Sequence, residues 1–234
     1  MCGEIGGGTV TGANGGVLTT TTFDSATLNG VTLGTNLSVA NGTTITVLNG
    51  LTINAGQAVT LGSGGSTTSL SFSGSQTLGG GGSVLFGGSS SANVVSPAGG
   101  GTLTIGSGIT VKSLSGSGGG AVGTASAGQG LVNQGLISAE SGGGTVTVSN
   151  NGAWSNTGTL KANGGTLTLG GAWDNSGGTI QVASGVFNLG GTFTTAQLGS
   201  LLNTGGTTVL TGTLTNTAST LALDGLTTGS IRLS

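Results

Sequence analysis

Aromatic residues recur at a nearly constant spacing in the C-terminal half of the chain. Trp154, Trp173 and Phe193 are separated by 19 and 20 residues, and each follows a Gly-Ala or Gly-Thr pair. A row of rings at this spacing predicts either a platform that stacks on sugar rings or, if the side chains point inward, a stacked aromatic core. We interpret the three residues as an inward stack and keep the sugar platform as the alternative.

Asparagine and threonine repeat alongside these rings. Asn156, Asn175 and Asn216 occupy corresponding places and predict a ladder of side-chain amides at successive corners, with a ligand-binding row as the alternative. Thr-x-Thr pairs would either order water on a flat face, as in ice-binding β-helices, or simply be outward strand residues. The threonines of this candidate array are Thr102, Thr104, Thr145, Thr147, Thr166 and Thr168.

The sequence lacks most of the residues that catalytic and metal sites usually require. The sequence has no histidine, one cysteine (Cys2) that we expect to be a free thiol, and five acidic residues with no evident pair. We therefore predict no catalytic, cofactor-binding or metal site, no cofactor and no enzymatic activity. Three basic residues are too few to neutralise a run of phosphates, so we also expect no nucleic-acid partner.

Composition favours an ordered β protein. Glycine supplies 55 of 234 residues, and charged residues make up 3% where about 25% is usual. A mean hydropathy of +0.33 and regular alternation of Val, Ile and Leu argue against disorder, which combines low hydrophobicity with high net charge. No apolar run approaches the ~18 residues that a membrane helix needs, so we expect no membrane insertion by this segment.

Internal repeats predict the fold. The segments 144–148, 165–169 and 185–189 match one another, and the short pattern apolar-Thr-apolar closes on glycine throughout the chain. A period near 20 residues with three short strands fits one coil of a parallel β-solenoid, with apolar residues inside and Thr and Ser outside. We predict an all-β, right-handed parallel β-helix (β-solenoid) with about 20 residues per coil.

The repeats extend over the whole chain with uneven regularity. We expect one β-solenoid over residues 1–234, with less regular coils over 1–99 and clear repeats over 100–234. Two Gly/Ser-rich stretches, 79–91 and 116–130, are interpreted as lengthened corner loops. Because the repeats begin and end without preamble, we expect the chain to be a fragment of a longer protein.

Several segments resemble coils of a known class of secreted proteins. The stretches that begin at Asn133, Asn156 and Asn175 are similar to filamentous-haemagglutinin-type and autotransporter passenger proteins, and the stretch 101–111 resembles large repeat-rich secreted bacterial proteins. The resemblance covers residues 100–234 well and 1–99 loosely. It implies a right-handed parallel β-helix, an extracellular or cell-surface location, and a role in adhesion or as a stalk.

We therefore expect a mechanical role, in which a stiff rod projects or forms a binding surface. We predict a structural or adhesive rod segment of a bacterial surface or secreted protein, whose partner is a host or environmental surface, glycan or protein. A first alternative is a self-assembling extracellular filament or matrix protein formed by end-to-end stacking of uncapped ends. A second alternative is an ice-binding protein that acts through the Thr-x-Thr arrays.

Overall fold

The computed structural model describes residues 3–140, 142, 144–225 and 228–234. Within these ranges the chain is built almost entirely from strands, with one short helix, α1 (Thr195–Leu198). The expectation that Cys2 is a free thiol falls outside the described residues.

Most strands are short, and a strand is longer only where it continues through a corner of the turn. In chain order they are β1 (Gly3–Gly6), β2 (Thr9–Thr11), β3 (Leu18–Thr19), β4 (Ser25–Gly34), β5 (Leu37–Val39), β6 (Thr44–Ile53), β7 (Ala58–Gly62), β8 (Thr68–Ser73), β9 (Gln76–Gly80), β10 (Ser83–Gly87), β11 (Asn93–Ala98), β12 (Thr102–Ile105), β13 (Thr110–Ser113), β14 (Gly119–Val122), β15 (Gly130–Asn133), β16 (Leu136–Glu140), β17 (Thr145–Asn156), β18 (Thr159–Asp174), β19 (Thr179–Leu189), β20 (Thr192–Thr194), β21 (Ser200–Asn203), β22 (Thr207–Leu210), β23 (Thr213–Thr215) and β24 (Ile231–Leu233).

All strand pairings in the described ranges are parallel, and they sort into three stacks. Stack A contains β1, β8, β11, β14, β22, β24 and parts of β4, β6, β17, β18 and β19. Stack B contains β2, β9, β12, β15, β20, β23 and the later parts of β4, β6, β17 and β18. Stack C contains β3, β5, β7, β10, β13, β16, β21 and the starts of β18 and β19.

This arrangement is a β-solenoid of about 10 turns with about 23 residues per turn. Each turn pairs with the turn before and the turn after it, so the predicted coil with three strands per turn is confirmed. At ~4.8 Å between neighbouring strands, the stack forms a rod roughly 50 Å long.

The length of a turn varies along the rod. Paired residues are 19 apart at Ser25 and Thr44, 28 apart at Thr102 and Gly130, and 19 apart again at Trp154 and Trp173. The expected period of 20 residues therefore holds for turns on either side of the middle, is too short for the middle turns, and is slightly short for the first and last turns, where Gly3 and Ala26 and also Thr208 and Ile231 are 23 apart. The additional residues include Ser- and Gly-rich corners between stacks C and A, at 63–67, 88–92 and 114–118.

The two stretches interpreted as corner loops are partly strand, which corrects that prediction. β10 lies inside 79–91 and β14 lies inside 116–130. β14 is glycine-rich because a bulky neighbour fills the interior there: a Cβ on Gly120 would lie 2.8 Å from the ring of Phe86. Glycine at this position lets the strand pair with its neighbours above an aromatic side chain.

The core consists of columns of apolar side chains, one residue from each turn. Alternation along the strands is as predicted, since Leu103 and Ile105 are fully buried and Thr104 between them is partly exposed. Full burial of one aliphatic side chain stabilises the fold by about 1.5–3 kcal/mol, so the columns are the main favourable contribution. One column in stack C contains Val59, Val84, Val111, Ile137, Leu160, Ile180 and Leu201.

Candidate functional site

The aromatic ladder lies inside the rod. Trp154 pairs in register with Trp173, and the rings of Trp173 and Phe193 stack with centroids 4.1 Å apart and an interplanar angle of 24°. All three side chains are buried, and the indole N–H groups donate to the carbonyl oxygens of Gly170 (2.9 Å) and Gly190 (2.8 Å). The inward stack is thus the observed arrangement, and these rings offer no face to a sugar.

The amide ladder is also buried, but its members differ from those predicted. Asn133 Nδ2 donates to Asn156 Oδ1 at 2.6 Å, Asn156 Nδ2 donates to Asn175 Oδ1 at 2.5 Å, and Asn175 Nδ2 donates to the Leu198 carbonyl at 2.7 Å. Asn133, which was not included among the predicted members, begins this ladder. Its role is to satisfy backbone and side-chain polar groups where stack B leads into stack C.

Asn216 is a correction to the predicted ladder. Asn216 is exposed. The turn between those of Asn175 and Asn216 has Thr195 at the corresponding place, and the Thr195 hydroxyl donates to Asn216 Oδ1. The ladder ends at Asn175 because helix α1 forms the next corner and supplies the Leu198 carbonyl as the last acceptor.

The candidate threonine array is divided between two stacks. Thr102 and Thr104 lie on stack B, where their partners on the following turn are Gly130 and Val132. The other four pair with one another on stack A, Thr145 with Thr166 and Thr147 with Thr168. The six residues therefore do not form one continuous lattice, which is the arrangement that the ice-binding alternative requires.

Three of the charged residues meet on the outer surface of stack C. Lys112, Ser138 and Lys161 occupy one column on three successive turns, and Glu140 lies beside them. The Ser138 hydroxyl donates to Glu140 Oε1 at 2.6 Å and Asn163 Nδ2 donates to Glu140 Oε2 at 2.7 Å. Sequence reasoning missed this cluster because its charges come from different turns.

The carboxyl group of Glu140 is held in its ionised form. Partial burial raises its pKa, but the hydrogen bonds from Ser138 and Asn163, together with nearby Lys112 and Lys161, outweigh burial and leave the pKa below its ordinary value of 4.5. The described residues contain no group of three or more His, Cys, Asp or Glu that could hold a metal ion.

Glu140→Gln is expected to reduce stability at neutral pH by less than about 1 kcal/mol, because the site is partly exposed and screened. Since the folded-state pKa is lowered, the contribution of Glu140 is present above pH 4.5 and is lost as the pH falls through the folded-state value. Urea unfolding of both proteins across this pH range measures the effect. A stability difference that grows as the pH falls would contradict it.

Two open clefts in the described ranges lie where stack A leads into stack B. One, which we call the A–B cleft, has a volume of about 540 Å³ and is lined by Asn49, Gly50, the segment 73–77, Thr102 and Thr104. A second, of about 490 Å³, lies further along the same edge and is lined by Ala121, the segments 123–125 and 149–151, and Gly171. No residue that lines either cleft is charged or aromatic.

No family model, curated protein or solved structure matches this chain. Among the described residues, no helix is both long enough and apolar enough to cross a membrane.

Proposed function

We propose that this chain is a structural and adhesive rod segment of a bacterial surface or secreted protein that presents low-charge faces for binding. The observation that carries the proposal is the parallel pairing of successive turns, interrupted only by local register shifts, around continuous buried columns. Such a stack resists bending because each turn is hydrogen-bonded to its neighbours along all three stacks.

The outer faces support the binding part of the proposal. On stack A, one outward column contains Thr27, Thr46, Ser71 and Ser96 on four successive turns. These four positions are uncharged, although Glu4 precedes Thr27 in the same column. Hydroxyl groups on such an uncharged stretch bind other uncharged surfaces by short-range hydrogen bonds, directly or through water. Adhesion of this kind depends little on ionic strength, because screening weakens only charge–charge attraction.

Beads coated with the purified chain test the adhesive role. We expect them to attach to neutral polysaccharide or protein surfaces more than albumin-coated beads do, equally at low and high salt. The double variant Thr27→Glu/Thr46→Glu adds two charges to the stack A face and is expected to reduce attachment at least severalfold. The matched control Thr27→Ser/Thr46→Ser keeps the hydroxyl groups and should attach like the wild type.

Two results would contradict the adhesive role. One is attachment no greater than that of albumin-coated beads on every surface. The other is attachment that disappears at high salt, because it would show that charge, and not the uncharged faces, carries the binding.

The C-terminal end of the stack favours a second candidate, a filament formed by end-to-end association. An apolar cavity of about 210 Å³ there is lined by leucines, Ile231 and Phe193, and Leu233 is 76% exposed. β24 pairs with β22 on one side only within the described residues, so its other edge can accept a strand. A second copy of this chain would cover both features.

Sedimentation velocity at increasing concentration tests association. We expect the average sedimentation coefficient of the 234-residue chain to rise with concentration, and Leu233→Lys to suppress the rise by placing a charge at the open end. Leu85→Lys is the control, because Leu85 is a partly exposed leucine on a strand that is paired on both sides. A wild-type chain that remains monomeric at the highest soluble concentration would exclude this candidate.

A further inference from the structure

The A–B cleft contains polar groups without partners. The hydroxyls of Ser73, Thr77 and Thr104 and the side-chain carbonyl oxygen of Asn49 line the cleft, and none of them is engaged in a hydrogen bond within the described part of the chain. These groups are available to a ligand or to solvent, in contrast to the buried amides of the ladder.

The floor and rim of the cleft are held rigidly by other groups. Gln76 Nε2 donates to the Val47 carbonyl at 2.8 Å, and Gln76 Oε1 accepts from the backbone N–H of Gly50 at 2.8 Å. Ser75 Oγ accepts from the backbone N–H of Thr102 at 3.2 Å, which ties two turns together across the cleft. Preorganised walls reduce the ordering cost that binding would otherwise incur.

Close backbone packing keeps the cleft open. Gly50 and Gly74 both have φ near +84°, which L side chains rarely adopt, and a Cβ on Gly101 would lie 1.9 Å from the Gly74 carbonyl carbon. Because these three positions carry no side chain, the turns approach each other and the space above them stays free.

The chemistry of the lining selects an uncharged polyhydroxylated ligand. A volume of about 540 Å³ lies in the range of small-molecule binding sites. The threonine and serine hydroxyls can donate to and accept from sugar hydroxyls, and the amide oxygen of Asn49 can accept from them. A charged ligand would find no opposite charge among the lining residues.

The second cleft lies further along the same edge of the rod. The corners between the two clefts are linked, since the backbone N–H of Gly100 donates to Gln129 Oε1 at 3.1 Å. The second cleft is also uncharged, and the Ser149 hydroxyl that lines it has no hydrogen-bond partner within the described residues. A linear polymer that lies parallel to the rod axis would pass over both clefts.

We propose that the A–B cleft is a binding site for a neutral oligosaccharide, with Asn49, Thr77 and Thr104 as the side chains that recognise its hydroxyl groups. The proposal deepens the adhesive function proposed above, on which it rests, by naming the ligand class and its place on the rod. Thr77 and Thr104 pair in register on neighbouring turns, so they present two hydroxyls side by side.

Nuclear magnetic resonance of the ¹⁵N-labelled 234-residue chain tests the site. The probes are neutral hexasaccharides of glucose, mannose and N-acetylglucosamine, with hexagalacturonate as the charged comparison. We expect at least one neutral probe to give saturable shifts of the amide resonances of Gly50, Gly74, Thr77 and Thr104. We expect hexagalacturonate to give none.

Isosteric variants locate the binding groups. Thr77→Val/Thr104→Val removes two hydroxyls and keeps β-branched side chains of the same shape, so the fold is retained and the affinity should fall about tenfold. The matched control Thr145→Val/Thr166→Val makes the same change at a pair of threonines in register on stack A, away from the cleft, and should bind like the wild type.

The possible results of these experiments distinguish failure of the oligosaccharide site from failure of the adhesive function. Absence of shifts with all three neutral probes, shifts confined to another surface, or equal binding of hexagalacturonate would overturn the oligosaccharide site. Attachment of coated beads without shifts at the cleft overturns the site alone. Shifts at the cleft without attachment of beads overturn the adhesive function alone.

Discussion

Replacing Trp173 by alanine is expected to lower the free energy of unfolding by about 3–5 kcal/mol. The side chain is 1% exposed, stacks on Phe193, and pairs in register with Trp154. The substitution leaves a cavity inside the column and leaves the Gly190 carbonyl oxygen without its indole donor. This is a large fraction of the 5–15 kcal/mol typical of a folded domain.

Urea unfolding, monitored by circular dichroism, measures this loss of stability. Two further variants provide the comparison that is needed to interpret it. Trp173→Phe keeps most of the ring contacts and removes the hydrogen bond to Gly190, so it should cost less than alanine. Leu202→Ala changes a leucine on the outside of stack C and should cost less than about 1 kcal/mol. If Trp173→Ala cost no more than Leu202→Ala, the aromatic column would not be a stabilising element.

Replacing Asn156 by leucine is expected to cost about 2–4 kcal/mol, although leucine is more apolar and of similar size. Asn156 both accepts from Asn133 and donates to Asn175, and all three are almost fully buried. Leucine would leave Asn175 Oδ1 without its donor and would remove one of the two donors to the Gly158 carbonyl, which keeps the backbone N–H of Thr179. Buried polar groups without partners cost more than the leucine side chain gains by burial.

A double-mutant cycle shows whether the amides act as a ladder. Asn175→Leu and Asn156→Leu each break the bond between the same two side chains, so the double variant should lose about 0.5–3 kcal/mol less than the sum of the single losses. Strictly additive losses would mean that each asparagine acts only on its own corner and that the ladder contributes nothing.

The fold was predictable from local repetition because paired strands carry matching segments. The segments 145–148, 166–169 and 186–189 lie in register as their similarity predicts. The middle turns were not predictable in the same way, because corners such as 88–92 add residues without changing the strands on either side. The strand β14 was missed for a different reason: glycine normally weakens strands, and the structure explains it by the Phe86 ring next to Gly120 and by the positive φ and close backbone contact of Gly119.

The site was less predictable than the fold. A local signal for the amide ladder does exist, since Asn133, Asn156 and Asn175 are each followed two residues later by glycine and Asn216 is followed by alanine. The A–B cleft has no such signal. Its lining comes from three turns, and the lengths of those turns decide which residues meet.

Variation in turn length also has a consequence for the protein under tension. If an end were pulled, the hydrogen bonds between turns would break one turn at a time, since each turn contacts only its neighbours. Turns with paired residues 19–21 apart would release roughly 70 Å of extended chain, and the 28-residue turn at Thr102 and Gly130 would release roughly 95 Å. Because paired residues lie 19 to 28 apart along the rod, force–extension traces should show steps of graded size, in the order in which narrow and wide turns occur.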